Sequence, residues 1–99
     1  MIDVSRHKDE IGRICKQFGV KRLEFFGSAI TDEFGAESDV DCLIEFTEGG
    51  GNHFNRYFDL KYGLEAMFGR KVDLVVDSAI KNPYFRTAVD RSRRLIYAA

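Results

Sequence analysis

Three aspartates have the type and spacing to do chemistry together. Asp39 and Asp41 are separated by one residue at the start of an apolar run, Val40-Asp41-Cys42-Leu43-Ile44-Glu45-Phe46. On an extended strand, residues two apart leave the same face, so the two carboxylates stand close together. Asp73 lies alone in a second apolar run, Val72-Asp73-Leu74-Val75-Val76. If the two strands are neighbours and in register, all three carboxylates converge. Like charges at that range raise one another's pKa or demand a counter-cation. Oxygen donors of this kind suit Mg²⁺, which keeps several waters and accepts phosphate oxygens as further ligands. Sites so built serve phosphoryl or nucleotidyl transfer.

Gly27-Ser28 adds a second feature. It follows a strand-like run and precedes a stretch that reads as a short helical turn, so its backbone N–H groups can meet an anion. Glycine allows close backbone approach, and the Ser28 hydroxyl adds a donor. With nine Asp in 99 residues, about one Asp-x-Asp arises by chance, so that element says little alone. Gly-Ser at this one spacing from Asp-x-Asp has a chance expectation of only about 0.003. The combination is therefore specific.

The elements that must position these residues follow from pattern. Residues 6–18 read as a helix with Ser5 as N-cap, an apolar face of Ile11, Ile14, Cys15 and Phe18, and Gly19 as its end. Residues 20–26 and 39–46 read as strands. In the latter, Val40, Cys42, Ile44 and Phe46 are expected on one face and Asp39, Asp41, Leu43 and Glu45 on the other. Residues 28–34 are expected as a helical turn and 35–38 and 47–52 as loops, with Gly49-Gly50-Gly51 a flexible connection rather than a phosphate cradle. A helix is expected over 54–68, with Phe54, Tyr57, Phe58, Leu64 and Phe68 along one side. Gly63 inside it costs roughly 1 kcal/mol against Ala. Residues 71–76 form a strand, Asn82-Pro83 starts a helix running to Ser92, and 94–97 a final strand. The order implies one α/β domain over residues 1–99, with a single sheet and helices packed on it.

Composition narrows the classes. Apolar residues are 44% and aromatic residues 13% of the chain, with a net charge of -1. This is a core-forming composition, too short for separate catalytic and substrate domains. No apolar run approaches the ~20 residues of a membrane span, and the first residues lack a signal-peptide core, so a cytoplasmic location is expected. Cys15 and Cys42 form neither a disulfide framework nor a metal motif and read as core residues. Charge is lopsided: Leu23 to Asn55 contains no Lys or Arg and carries -8, against +7 for the rest. That pattern fits either two solvated surfaces of opposite sign or a cation-seeking site beside basic flanks. His7 and His53 read as isolated surface residues, and Tyr57, Phe58, Tyr62, Tyr84 and Phe85 as core or helix-packing aromatics, an exposed subset being the alternative for a protein interface. Arg86, Arg91, Arg93 and Arg94 read as a solvated helix face, with aromatic interleaving too sparse for nucleic-acid binding.

On Gly27, Ser28, Asp39, Asp41 and Asp73, the sequence resembles the nucleotidyltransferase superfamily typified by DNA polymerase β. Within it, the chain resembles the minimal nucleotidyltransferases of prokaryotic MNT-HEPN toxin–antitoxin pairs, and Lys71-Val72-Asp73-Leu74-Val75 looks much like their third-carboxylate strand. The resemblance implies a small mixed β-sheet with packed helices, the minimal nucleotidyltransferase fold. It implies that Asp39 and Asp41 hold Mg²⁺ on the triphosphate of ATP, and that Asp73 completes the metal site and helps activate the attacking hydroxyl. Gly27 and Ser28 would grip the phosphates. The implied activity is AMP transfer to a hydroxyl of a HEPN ribonuclease toxin, with a tyrosine as acceptor, the chain acting as antitoxin in a hetero-oligomer. The alternative is a catalytically weak or inactive antitoxin that neutralises the toxin by binding and occlusion. One departure bears on this choice. Where many members carry Arg after Gly-Ser, this chain reads Ala29-Ile30-Thr31-Asp32-Glu33, so Lys61, Lys71 or a partner residue would have to supply the charge.

Overall fold

The computed structural model describes residues 4–27, 39–49 and 53–99. The elements run α1 (Val4–Gln17), β1 (Val20–Phe25), β2 (Val40–Phe46), α2 (His53–Phe68), β3 (Val72–Val76), a one-turn 3-10 helix (Asp77–Ala79), α3 (Pro83–Ser92) and β4 (Arg94–Ala98). The helical turn and loop expected over 28–38 lie outside the described residues. Expected and observed boundaries otherwise differ by a residue or two, as fraying ends allow. Ser5 is the exception in kind: it lies inside α1 rather than capping it. Gly19 ends the helix at φ +66°, a conformation that costs L side chains. Asn82 caps α3, its Oδ1 accepting from the Tyr84 and Phe85 amides at 2.9 and 3.2 Å, with Pro83 in the first turn.

The four strands form one mixed sheet in the order β3-β2-β1-β4. β1 pairs antiparallel with β2 and β4, and β2 pairs parallel with β3. A parallel pair needs a long crossover, which α2 supplies. An irregularity between Val20 and Arg22 shifts the alternation, so Val20, Leu23 and Phe25 all join one core. That core lies under α1 and α2, with Ile11, Cys15, Val40, Cys42, Ile44, Leu60, Leu64, Val72 and Leu74. The opposite face is also covered: Leu43, Phe26 and Val89 of α3 form a second cluster with Val75 and Ile80. Both cysteines are buried in the first core, as expected; desolvation raises both thiols, Cys15 to about 12.

The buried face of α2 differs from expectation. Tyr57, Leu64 and Phe68 pack on the core as expected, but Phe54 is 68% exposed, and Arg56 and Leu60 are buried in addition. Phe54, Phe58 and Tyr62 instead form a ring-to-ring series along α2. Tyr62, Tyr84 and Phe85 are also exposed rather than core, although Phe85 meets the Phe26 ring edge-on. Arg56 takes an inward place because it ties three segments together. Its guanidinium donates to the carbonyls of Phe18 at 3.1 Å, Gly19 at 2.6 Å and Thr47 at 3.3 Å, and lies over the Phe46 ring. A buried charge is tolerable only with such partners.

α2 also closes the outer edge of β3. Glu65 Oε2 accepts from the Val72 amide at 2.9 Å, and the Tyr57 hydroxyl donates to the Leu74 carbonyl. These bonds satisfy edge groups that would otherwise template further strands. Where α2 crosses α1, a Cβ on Gly63 would meet Phe18 and Ile14 at 3.7 and 3.8 Å, ordinary contact distances. Gly63→Ala should therefore raise stability by about 0.5–1 kcal/mol, because the backbone entropy cost falls and no clash appears. A lower denaturation midpoint for the variant would refute this.

Acid should weaken the fold through two carboxylates. The Val72 amide bond is the main cause holding Glu65 below its usual 4.5, with burial opposing and Lys61 assisting. Burial works against ionisation of Asp77, but Arg86 and Arg93 outweigh it and hold the group below 3.8. Both folded pKa values are depressed, so their stabilisation is complete above the ordinary values and is lost as pH falls through the lower ones. Thermal melts from about pH 6 to about pH 2.5 should show a steep acid loss. Glu65→Gln with Asp77→Asn should flatten that slope; an unchanged slope would assign acid sensitivity elsewhere.

Candidate active site

The parallel ladder decides where the carboxylates go. Val40 pairs with Val72, and Asp41 is the direct partner of Asp73. The Val40 amide donates to the Lys71 carbonyl at 2.9 Å, which begins the ladder immediately after Asp39. Alternation then puts Asp39, Asp41 and Asp73 on one face of two strands about 4.8 Å apart. Asp39 and Asp73 are exposed and Asp41 is half-buried. The burial pattern follows the expected faces, with one addition: Leu43 is buried by α3 on the aspartate side.

Gly27 closes this face from β1. The Phe26 amide donates to the Asp41 carbonyl at 3.1 Å, and Gly27 follows at φ +63°. A Cβ on Gly27 would lie 2.6 Å from Asp41 Oδ2, so any larger residue there would force that carboxylate to move. The Gly27 N–H, expected to face an anion, instead donates to Ser92 Oγ at 3.1 Å. Ser92 thus fixes the Gly27 turn from the last residue of α3, a contact across 65 positions that no local pattern signals. Ser28 lies outside the described residues.

Two neighbouring arginines are already engaged. Arg93 grips buried Glu24 with two bonds at 2.9 and 2.7 Å, and reaches Asp77 and Asp90. Arg86 binds Asp77 through its side chain at 2.6 Å and its carbonyl at 2.7 Å. Arg93 therefore ties α3 to β1 and Arg86 ties it to the 3-10 helix, contrary to the expected solvated face, whereas Arg91 and Arg94 are exposed as expected. His7 is likewise half-buried, edge-on to Phe68.

The three aspartates offer only hard oxygen donors. Among the described residues, no three His, Cys, Asp or Glu side chains stand close enough to enclose an ion by themselves. That arrangement fits Mg²⁺, which is held by one or two carboxylates and completes its shell with water and substrate phosphates. Among the described residues, no helix is long and apolar enough to cross a membrane.

A family model described as a nucleotidyltransferase domain matches residues 8–96. A candidate protein adenylyltransferase of Methanocaldococcus jannaschii is 38% identical over 95 residues, which span 96% of this chain and 91% of the relative. A solved structure of a candidate minimal nucleotidyltransferase superposes with a TM-score of 0.75 at 28% identity, covering 94% of this chain and 95% of its own. The fold also matches, at TM-score 0.67 and 15% identity, the complex of a tri-AMPylated Shewanella oneidensis HEPN toxin with its MNT antitoxin; 98% of this chain and 74% of that one are covered. A match over nearly every residue, at both sequence and fold level, places this chain in the nucleotidyltransferase domain family.

Proposed function

We propose that the chain, acting as one unit in the cytoplasm, transfers AMP from ATP to a tyrosine hydroxyl of a HEPN-type ribonuclease toxin and so serves as its antitoxin. The observation that carries the reading is the register of Asp41 against Asp73, with Gly27 pressed against the Asp41 carboxylate. Asp39, Asp41 and Asp73 do not enclose an ion by themselves, and would hold Mg²⁺ only jointly with water and the substrate phosphates, whose charge the ion would neutralise during in-line displacement. Gly27 and Ser28 border the phosphates, Gly27 by allowing close approach and Ser28 by its hydroxyl. Asp73 takes the proton of the acceptor hydroxyl. The acceptor oxygen bonds to the α-phosphorus, the bond to the β-phosphate oxygen breaks, and pyrophosphate leaves with the electron pair. A protein acceptor would be positioned by its own docking on the chain.

Intact mass of a HEPN partner after incubation with this chain, ATP and Mg²⁺ should rise by one or more AMP units. Chelation should abolish the gain, and Asp39→Asn with Asp41→Asn should cut it by about a hundredfold or more. An unchanged mass within a stable complex would instead establish neutralisation by occlusion. Gly27→Ala supplies an independent check. Its methyl would displace the Asp41 carboxylate and strain the backbone by about 1–2 kcal/mol. Transfer should fall at least about tenfold while the chain stays folded by circular dichroism. Full activity of this variant would remove the Gly27–Asp41 contact from the mechanism.

A further inference from the structure

We propose that Lys71 binds the phosphate chain of the nucleotide and supplies the positive charge missing after Gly27-Ser28; this rests on the functional reading above. Register places Lys71 beside Asp39, one step before the Val40–Val72 pair. Strand alternation puts it on the same face as Asp73. It is exposed, and it lines an open cleft of about 600 Å³ with Lys61, Glu65, Gly69 and Arg70. That lining carries three cations against one carboxylate. The cleft's link to the aspartates is Lys71 itself, whose carbonyl accepts from the Val40 amide at 2.9 Å, directly after Asp39.

Four other basic groups are committed. Lys61 pairs with Glu65 at 3.2 Å, Arg86 with Asp77, and Arg93 with Glu24, Asp77 and Asp90. Arg56 is consumed by backbone carbonyls on the covered side of α2. Lys71 enters none of the ion pairs among the described residues. A lysine on a four-carbon stem is a mobile point charge that can follow a phosphate oxygen without fixed geometry.

The test is titration of the whole chain with AMP-PNP and Mg²⁺ by calorimetry, comparing wild type, Lys71→Gln, Lys71→Met, Lys71→Arg and Lys61→Gln. Loss of one charge-assisted contact should weaken AMP-PNP binding about tenfold in both neutral Lys71 variants. Lys71→Arg should stay within about threefold of wild type, and Lys61→Gln should change little because Glu65 already neutralises that charge. Adenosine, which lacks phosphate, should bind all variants alike. Equal AMP-PNP affinity in wild type and the neutral Lys71 variants would overturn the assignment. Absence of AMP-PNP binding by the wild-type chain would overturn the functional reading and this assignment with it.

Discussion

The geometry of the site depends on one parallel pairing in an otherwise antiparallel sheet. Antiparallel neighbours can be joined by a hairpin, but β2 and β3 run the same way and need a crossover. α2 is that crossover, and its packing sets the register that puts Asp41 opposite Asp73. A slip of one residue would send Asp73 into the apolar face beneath α2 and bring Val72 or Leu74 to the surface. The burial of Val72 and Leu74 makes that slip costly, so the core enforces the alignment of the carboxylates.

Two polar clusters hold the layers in place around this ladder. On one side, Arg56 gathers the carbonyls at the α1–β1 turn and the end of β2, fixing where α2 begins. On the other, Arg93 joins β1, the 3-10 helix and α3 through Glu24, Asp77 and Asp90. Both use guanidinium as a planar hub with several donors, a task a lysine ammonium performs less well. The second cluster also brings Ser92 to the Gly27 amide, so α3 shapes the turn beside Asp41 although it contributes none of the carboxylates.

The acidic bias between Leu23 and Asn55 resolves into different roles in space. Glu24 is buried and neutralised by Arg93, and Glu45 pairs at the surface with Lys21 at 3.6 Å. The acidic character of the site comes from Asp39 and Asp41, joined by Asp73 from outside that stretch. The same sorting shows why the total charge of a segment is a poor guide to a site: burial and partners decide which charges act.

Much of this was legible in the chain alone. Alternation of Val40, Cys42 and Ile44 with the aspartates marked β2 and its two faces, because a strand has a fixed period of two. Asn82-Pro83 marked the start of α3, because the cap and the missing proline N–H are local chemistry. The Gly27-Ser28 spacing to Asp39 and Asp41 marked the family. The inward turn of Arg56, the exposure of Phe54 and the bond from Gly27 to Ser92 were not legible. Each depends on which elements meet, and side-chain type alone favours the opposite placement for Arg56 and Phe54. Sequence determined the elements, the carboxylates and their local faces, since those follow from short-range periodicity. Only the tertiary structure decided that Asp73 meets Asp41 and that Lys71 stands beside Asp39, because strand neighbours and register are set by long-range packing.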